Sequence, residues 1–175
     1  MLLPVDDRGA RMRKLFVSLM VLGCWLPAWA ADLPPVTVYA PKVCLACLEY
    51  AEHLRQNGFS VKVDDTQDLA ALKKRHRIGP DLEARHTAVV AGYFIEGHVP
   101  AEDVKLLLQE KPKARGLAVP GAPRGAPGLD VLQGTGCETG CTMLEGDGAA
   151  NRVRREFFNT LLVGHDGKTS IWARH

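Results

Sequence analysis

Residues 36–54 read VTVYAPKVCLACLEYAEHL, and this stretch decides how the chain begins to fold. Residues 36–40 are mostly of the β-branched and aromatic types that favour a strand. Apolar residues at helical spacing predict a helix over residues 47–57. Cys44 and Cys47 lie at the junction, where the free N–H groups and the positive dipole end of the helix stabilise a thiolate. Such a thiolate can attack a disulfide or bind a soft metal ion.

The N-terminal segment, residues 1–30, has the pattern of a secretory signal peptide. Basic residues precede an apolar run over residues 15–26, and Ala-Trp-Ala at 28–30 is the small-residue pattern that a signal peptidase reads. An uncleaved membrane anchor is disfavoured because a span needs about 20 apolar residues. A lipoprotein anchored through Cys24 is a second alternative. We expect a periplasmic or secreted protein that leaves the membrane once the signal is cleaved.

The charge and cysteine content restrict the possible partners. Loss of residues 1–30 takes four basic and two acidic residues from totals of 22 and 20, which leaves a formally neutral chain. This balance provides no basic patch that would indicate nucleic-acid binding. Two close cysteine pairs remain, Cys44/Cys47 and Cys137/Cys141. In an oxidising compartment they favour disulfides, although spacing alone does not determine the pairing.

The predicted elements follow the order strand, helix, strand, helix, hairpin, helix. They lie at residues 36–40, 47–57, 59–63, 66–75, 87–95 and 100–110. This order is typical of an α/β fold, specifically a thioredoxin-like sandwich, with its core over residues 36–111. We expect residues 31–175 to form one such domain.

Three further segments follow this core. Residues 112–130 contain four prolines and four glycines, so we expect a surface wrap without regular secondary structure. Residues 133–151 resemble a Gly-rich insertion, and they hold the second cysteine pair. Residues 157–173 are predicted to form a C-terminal β-hairpin, with Asp-Gly as its turn signal.

Four stretches of the chain resemble one known family. They are Cys44-x-x-Cys47, HLRxNGFxV at 53–61, HTAVVxGYxIEGHVP at 86–100 and ARGLAVPG at 114–121. The chain is identified by these motifs as a member of the CopG-type family of small exported proteins associated with copper and other metal resistance. The resemblance covers nearly all of residues 36–130 and about 157–175. It implies a thioredoxin-like fold and a role in handling metal ions.

The chain departs from the family's pattern at several sulfur positions. The usual Cys-Gly-Cys-Cys motif has Ala46 in place of one cysteine, and Arg85 replaces a cysteine before the HTAVV string. Ala122 and Leu129 stand where the family usually has methionines. The chain is therefore a divergent member whose soft-donor set differs from the usual one.

The first hypothesis is a binding site for a soft metal ion. Cys44 and Cys47 would supply thiolates, His86 would approach them from the neighbouring strand, and Cys137 and Cys141 would complete the set if the insertion folds back. Cu(I) is the expected ion, and two thiolate pairs would also suit Zn(II). Other periplasmic metal-handling proteins are the expected partners. A structural role for His86 is equally open.

Two other hypotheses remain. Cys44 and Cys47 could form a thiol–disulfide redox pair, with Arg85 favouring the thiolate and disfavouring a bound cation. Against this, residues 85–88 contain no proline, whereas thioredoxin-like oxidoreductases place a cis-proline there. The chain could also be a degenerate binding module with inert disulfides. No pattern indicates an enzyme, and we expect His53 and His98 to have structural roles.

Overall fold

The computed structural model describes residues 32–129 and 156–175, so the predicted signal peptide and the Gly-rich insertion lie outside the described residues. The part of Leu33–His175 that is described forms one compact unit. Its strands are β1 (Val36–Tyr39), β2 (Val61–Asp64), β3 (Thr87–Val90), β4 (Tyr93–Glu96), β5 (Ala114–Ala118), β6 (Asn159–Gly164) and β7 (Thr169–Arg174). Its helices are α1 (Leu45–Gln56), α2 (Leu69–His76) and α3 (Ala101–Glu110).

The strands form one mixed sheet in the order β2-β1-β3-β4-β5-β6-β7. The β1–β2 and β4–β5 pairs are parallel, and the remaining neighbours are antiparallel. The two parallel pairs are joined through helices, as parallel connections require. The predicted α/β sandwich is therefore confirmed.

The two faces of the sheet bury different sets of side chains, because successive strand residues point to opposite faces. One face packs against α1 and α3 and includes the buried residues Val38, Ile95 and Leu117. The other face holds Phe94, which clusters with Ile78 of the segment that follows α2. Helices α1 and α3 thus cover one face of the sheet, and the segment that follows α2 covers part of the other.

One prediction within the Pro/Gly-rich segment is wrong. Residues 114–118 form strand β5, although residues 112–130 were expected to lack regular structure. No proline lies between Pro112 and Pro120, and four consecutive residues from Gly116 to Val119 are buried. Strand β5 pairs with β4 on one side and with β6 on the other, so it connects the terminal hairpin β6–β7 to the rest of the sheet.

The described residues that follow β5 in this segment lie against the domain. Ala126 and Leu129 are buried, and Gly128 adopts φ +81° directly against helix α1. A Cβ on Gly128 would lie 2.7 Å from the backbone nitrogen of Tyr50, so only glycine allows this close approach. No helix in the described ranges is both long and apolar enough to span a membrane.

Candidate functional site

The two cysteines of the Cys-x-x-Cys motif form a disulfide at the start of α1. The helix begins at Leu45, two residues earlier than predicted, because Cys44 serves as its N-cap. The Cys44 sulfur accepts the N–H of Cys47 at 3.3 Å, so it occupies the position of a capping side chain. Cys47 is fully buried, whereas Cys44 keeps 9% of its surface exposed.

A pocket of about 340 Å³ opens beside this disulfide. Its lining residues include Cys44 before α1, two basic residues and three apolar residues; they are Cys44, Arg85, His98, Val43, Leu45 and Leu129. Val43 and Leu45 are 94% and 54% exposed, which is unusual for apolar side chains of this size. The disulfide therefore lies at the edge of a small, partly apolar pocket with a positive charge.

His98 lines the pocket and is oriented by the Pro/Gly-rich wrap. Its Nδ1–H donates a hydrogen bond to the Pro127 carbonyl at 2.8 Å. Burial lowers the pKa of His98, which favours the neutral ring. In the neutral ring with the proton on Nδ1, Nε2 carries the free lone pair. Metal-binding histidines usually have this form, with the other ring nitrogen held by a backbone carbonyl or a carboxylate.

His86 is buried behind the hairpin end and packs against two other rings. Its ring centroid lies 4.6 Å from that of Tyr50 and 4.8 Å from that of His98. Neither ring nitrogen has a hydrogen-bond partner within the described part of the chain. Burial, with a smaller contribution from the charge of His98, lowers the pKa of His86 to about 3. His86 is therefore a neutral imidazole with unsatisfied polar atoms.

His53 has the structural role expected from the sequence. Its Nε2 accepts the backbone N–H of Ala101 at 3.1 Å, which satisfies one of the free N–H groups at the start of α3. Burial lowers the pKa of His53, and this bond requires the unprotonated nitrogen.

A buried ion pair holds the segment that carries Arg85 and His86. The Lys73 ammonium donates to the Glu96 carboxylate and, at 2.5 Å, to the Ala84 carbonyl. Glu96 also accepts the Ala84 N–H and the Thr87 hydroxyl, each at 2.6 Å. Burial raises the pKa of Glu96, and these donors oppose that shift. The network therefore holds Ala84 and Thr87, the residues on either side of Arg85 and His86, against Glu96 of strand β4.

The predicted site residues are thus only partly accounted for. Cys44 and Cys47 are bonded to each other, while Cys137 and Cys141 lie outside the described residues. Across residues 32–129 and 156–175, no three His, Cys, Asp or Glu side chains are grouped closely enough to hold a metal ion. A metal site that includes His86 therefore stays a prediction.

His98 makes a structural hydrogen bond, as expected, and also lines the pocket, which was not predicted from the sequence. The predicted turn at residues 91–92 contains the signal that could have found it. In the hairpin around that turn, Thr87 of β3 lies opposite Glu96 of β4. If the same register is extended by two residues beyond the strands, Arg85 lies opposite His98. Strand β1 pairs Tyr39 with Thr87 and then leads towards Cys44. The register alone therefore places His98 at the cysteine end of the sheet.

Fold and site together define an α/β sandwich protein with a helix-capping disulfide beside an imidazole-lined pocket. Residues 82–129 match the family described as "Protein of unknown function, DUF411". Two solved structures, "Copper resistance protein copG- Form 1" and "Copper resistance protein copG- Form 2", each show 30% sequence identity and a TM-score of 0.64. The alignments cover 82% of this chain and 98% and 99% of those chains. No curated protein sequence matches. The chain belongs to the CopG-type family.

Proposed function

We propose that the protein contributes to copper resistance by binding a soft metal ion, with Cu(I) as the preferred ion. The observation that carries this proposal is the juxtaposition of the Cys44–Cys47 pair and the neutral His98 imidazole at one pocket. Membership of the CopG-type family supports it, because the two similar solved structures are named as copper resistance proteins.

Once the disulfide is reduced, the cysteine thiolates and the imidazole are suitable ligands for a soft metal ion. Thiolates and imidazoles are the ligands that Cu(I) and Zn(II) prefer, and disulfide sulfurs are poor ligands by comparison. Arg85 opposes a bare cation. However, two thiolates and one Cu(I) leave a net negative charge, which the guanidinium group of Arg85 would balance.

Further ligands and the location of the protein belong to the same proposal. His86 could join the site if a modest shift turned one unsatisfied nitrogen towards the reduced cysteines. Cys137 and Cys141 would supply a second thiolate pair. Binding would take place in the periplasm or outside the cell, where other metal-handling proteins would deliver or accept the ion.

Titration of the reduced chain with Cu(I), in competition with a chelator, tests the proposal. We expect tight stoichiometric binding that is lost in Cys44→Ser/Cys47→Ser. The comparison variant is Cys137→Ser/Cys141→Ser, which removes the same number of thiols and tests whether the second pair contributes. If this variant loses binding and the first one keeps it, the metal site is not at α1.

The imidazole contribution is tested in the same titration. His98→Asn should weaken Cu(I) binding by roughly 10- to 100-fold if His98 ligates or orients the site. His165→Asn changes an exposed histidine in the β6–β7 turn and should leave binding unchanged. Equal affinities for the two variants would remove His98 from the site.

A second candidate function is thiol–disulfide exchange, and the Cys44–Cys47 disulfide itself favours it. The reduction potential of this pair, measured against a glutathione buffer, tests the idea. A potential near those of redox proteins, roughly −270 to −120 mV, would support exchange. A potential below about −300 mV would indicate an inert structural disulfide and a module that only binds a partner.

A further inference from the structure

We propose that the pocket beside Cys44 binds a small thiol that carries a carboxylate, and that this thiol exchanges with the disulfide by attacking the Cys44 sulfur. The inference rests on the redox proposal above and adds the attacked atom, the subsite and the substrate class. It concerns the oxidised protein, whereas metal binding concerns the reduced one.

Accessibility selects the attacked sulfur. Cys44 lines the pocket and keeps 9% of its surface exposed, while Cys47 has no exposed surface and does not line the pocket. A nucleophile must come into direct contact with one of the two sulfur atoms to break the disulfide. Attack from the pocket can therefore reach Cys44 and leaves Cys47 as the departing sulfur.

The charge of the pocket selects the substrate class. Arg85 lines the pocket and is exposed, and it forms neither a hydrogen bond nor an ion pair with any described residue. No acidic side chain of the described residues lines the pocket. A guanidinium group with no partner among residues 32–129 and 156–175 is well suited to a carboxylate, which it can bind through two parallel N–H donors.

The size and rim of the pocket favour a small molecule over a polypeptide thiol. A volume of about 340 Å³ lies at the lower end of the range for small-molecule sites. Val43, Leu45 and Leu129 provide an apolar wall that would contact the carbon chain between the thiol and the carboxylate. Arg85 and the Cys44 sulfur would then bind the two ends of one short molecule.

The exchange proceeds in two steps. The small thiol loses its proton to solvent, and its thiolate forms a bond to Cys44 Sγ while the Cys44–Cys47 bond breaks. Cys47 leaves as a thiolate and takes up a proton. A second molecule of the same thiol then attacks the mixed disulfide. The products are the oxidised small disulfide and the reduced Cys44/Cys47 pair, so two thiols are oxidised and one protein disulfide is reduced.

The test compares three thiols of similar size on the oxidised chain. They are 3-mercaptopropionate, 2-mercaptoethanol and 2-mercaptoethylamine, which are anionic, neutral and cationic. Rate constants are expressed per thiolate concentration, and reduction is followed by acid quenching, alkylation and mass spectrometry of the peptide that holds Cys44 and Cys47. We expect the anionic thiol to react fastest, and the transient adduct to map to Cys44.

Arg85 variants decide whether the subsite is the cause. Arg85→Gln should lower the anionic-to-cationic rate ratio by roughly two- to fivefold, as expected for a partly exposed ion pair. Arg85→Glu should reverse the preference. Lys168→Gln removes the same charge from the exposed β6–β7 turn, away from the pocket lining, and should leave the ratio unchanged.

The other possible results would each contradict a different part of the proposal. A rate ratio that does not respond to Arg85 would overturn the carboxylate subsite while leaving the redox proposal in place. An adduct on Cys47 would overturn the assignment of the attacked sulfur. If none of the three thiols reduces the disulfide, the redox proposal fails together with this inference, whereas Cu(I) binding by the chemically reduced chain is unaffected.

Discussion

Lowering the pH from 7 to 5 is expected to destabilise the folded chain through His86. This imidazole is fully buried, and neither ring nitrogen has a partner among the described residues. The groups that face it are Tyr50 and His98, with Lys73 near enough to disfavour a second positive charge. Protonation in the folded state would therefore bury a cation that only the Gly97 backbone helps to stabilise, whereas the unfolded chain binds the proton freely.

The magnitude follows from the difference between the two pKa values of His86. Its pKa is about 3 in the folded chain and 6.5 without the protein environment. Because the folded pKa is lowered, the neutral ring contributes its full stability above pH 6.5, and that contribution falls as the pH decreases towards 3. Between pH 7 and pH 5 the loss from His86 alone is about 2 kcal/mol.

Urea unfolding at pH 7, 6 and 5, followed by circular dichroism, measures this loss. The perturbation is His86→Leu, which removes the titrating group and should flatten the pH dependence by about 2 kcal/mol over that interval. His98 and His53 also have lowered pKa values, so some slope should remain. His165→Asn, at an exposed position, should behave as the wild type.

Parallel pH dependences for the wild type and His86→Leu would refute this reasoning. A direct measurement avoids the question of how well the variant folds. In the wild-type chain, the His86 ring-proton resonance followed by NMR should not titrate between pH 7 and pH 4. A midpoint near 6.5 would show that the ring is not desolvated in the way the structure describes.

Three substitutions test the packing around the site by chemical unfolding. Lys73→Met should lower the free energy of unfolding by about 3–5 kcal/mol because it leaves the Glu96 carboxylate buried without its cation. Lys73→Met/Glu96→Gln should recover part of that loss. If the losses of the two single substitutions simply add in the double variant, the pairing is contradicted. Gly116→Ala should cost about 1–3 kcal/mol because its Cβ would overlap the Phe94 carbonyl oxygen across β4–β5, and unchanged stability would contradict that close approach. Leu117→Ala should cost about 2–5 kcal/mol, and a loss below about 1 kcal/mol would place Leu117 outside the core.

Much of the fold could be predicted from the sequence because its signals are local. Strand β1, helix α1 and the β3–β4 hairpin follow from alternation, helical spacing and a two-residue turn, each of which involves residues close in the chain. The Cys-x-x-Cys motif at a strand-to-helix junction likewise placed the sulfurs at a helix start. The structure adds that Cys44 itself caps the helix.

Strand β5 could not be recognised in this way. Residues 114–118 lie between prolines and carry little β-propensity, and they become a strand because β4 and β6 offer hydrogen-bonding edges on either side. The partner β6 follows far later in the sequence. Such pairing depends on contacts between distant residues, which no local pattern encodes.

The sequence by itself therefore determined the order of the elements other than β5, the cysteine pair at the start of α1 and the family. The tertiary structure decided the environment of that pair: the pocket, the neutral His98 held by Pro127, and the buried ion pair between Lys73 and Glu96. The physical reason is that charge state and accessibility depend on desolvation, and desolvation is set by chain segments that meet only when the domain is folded.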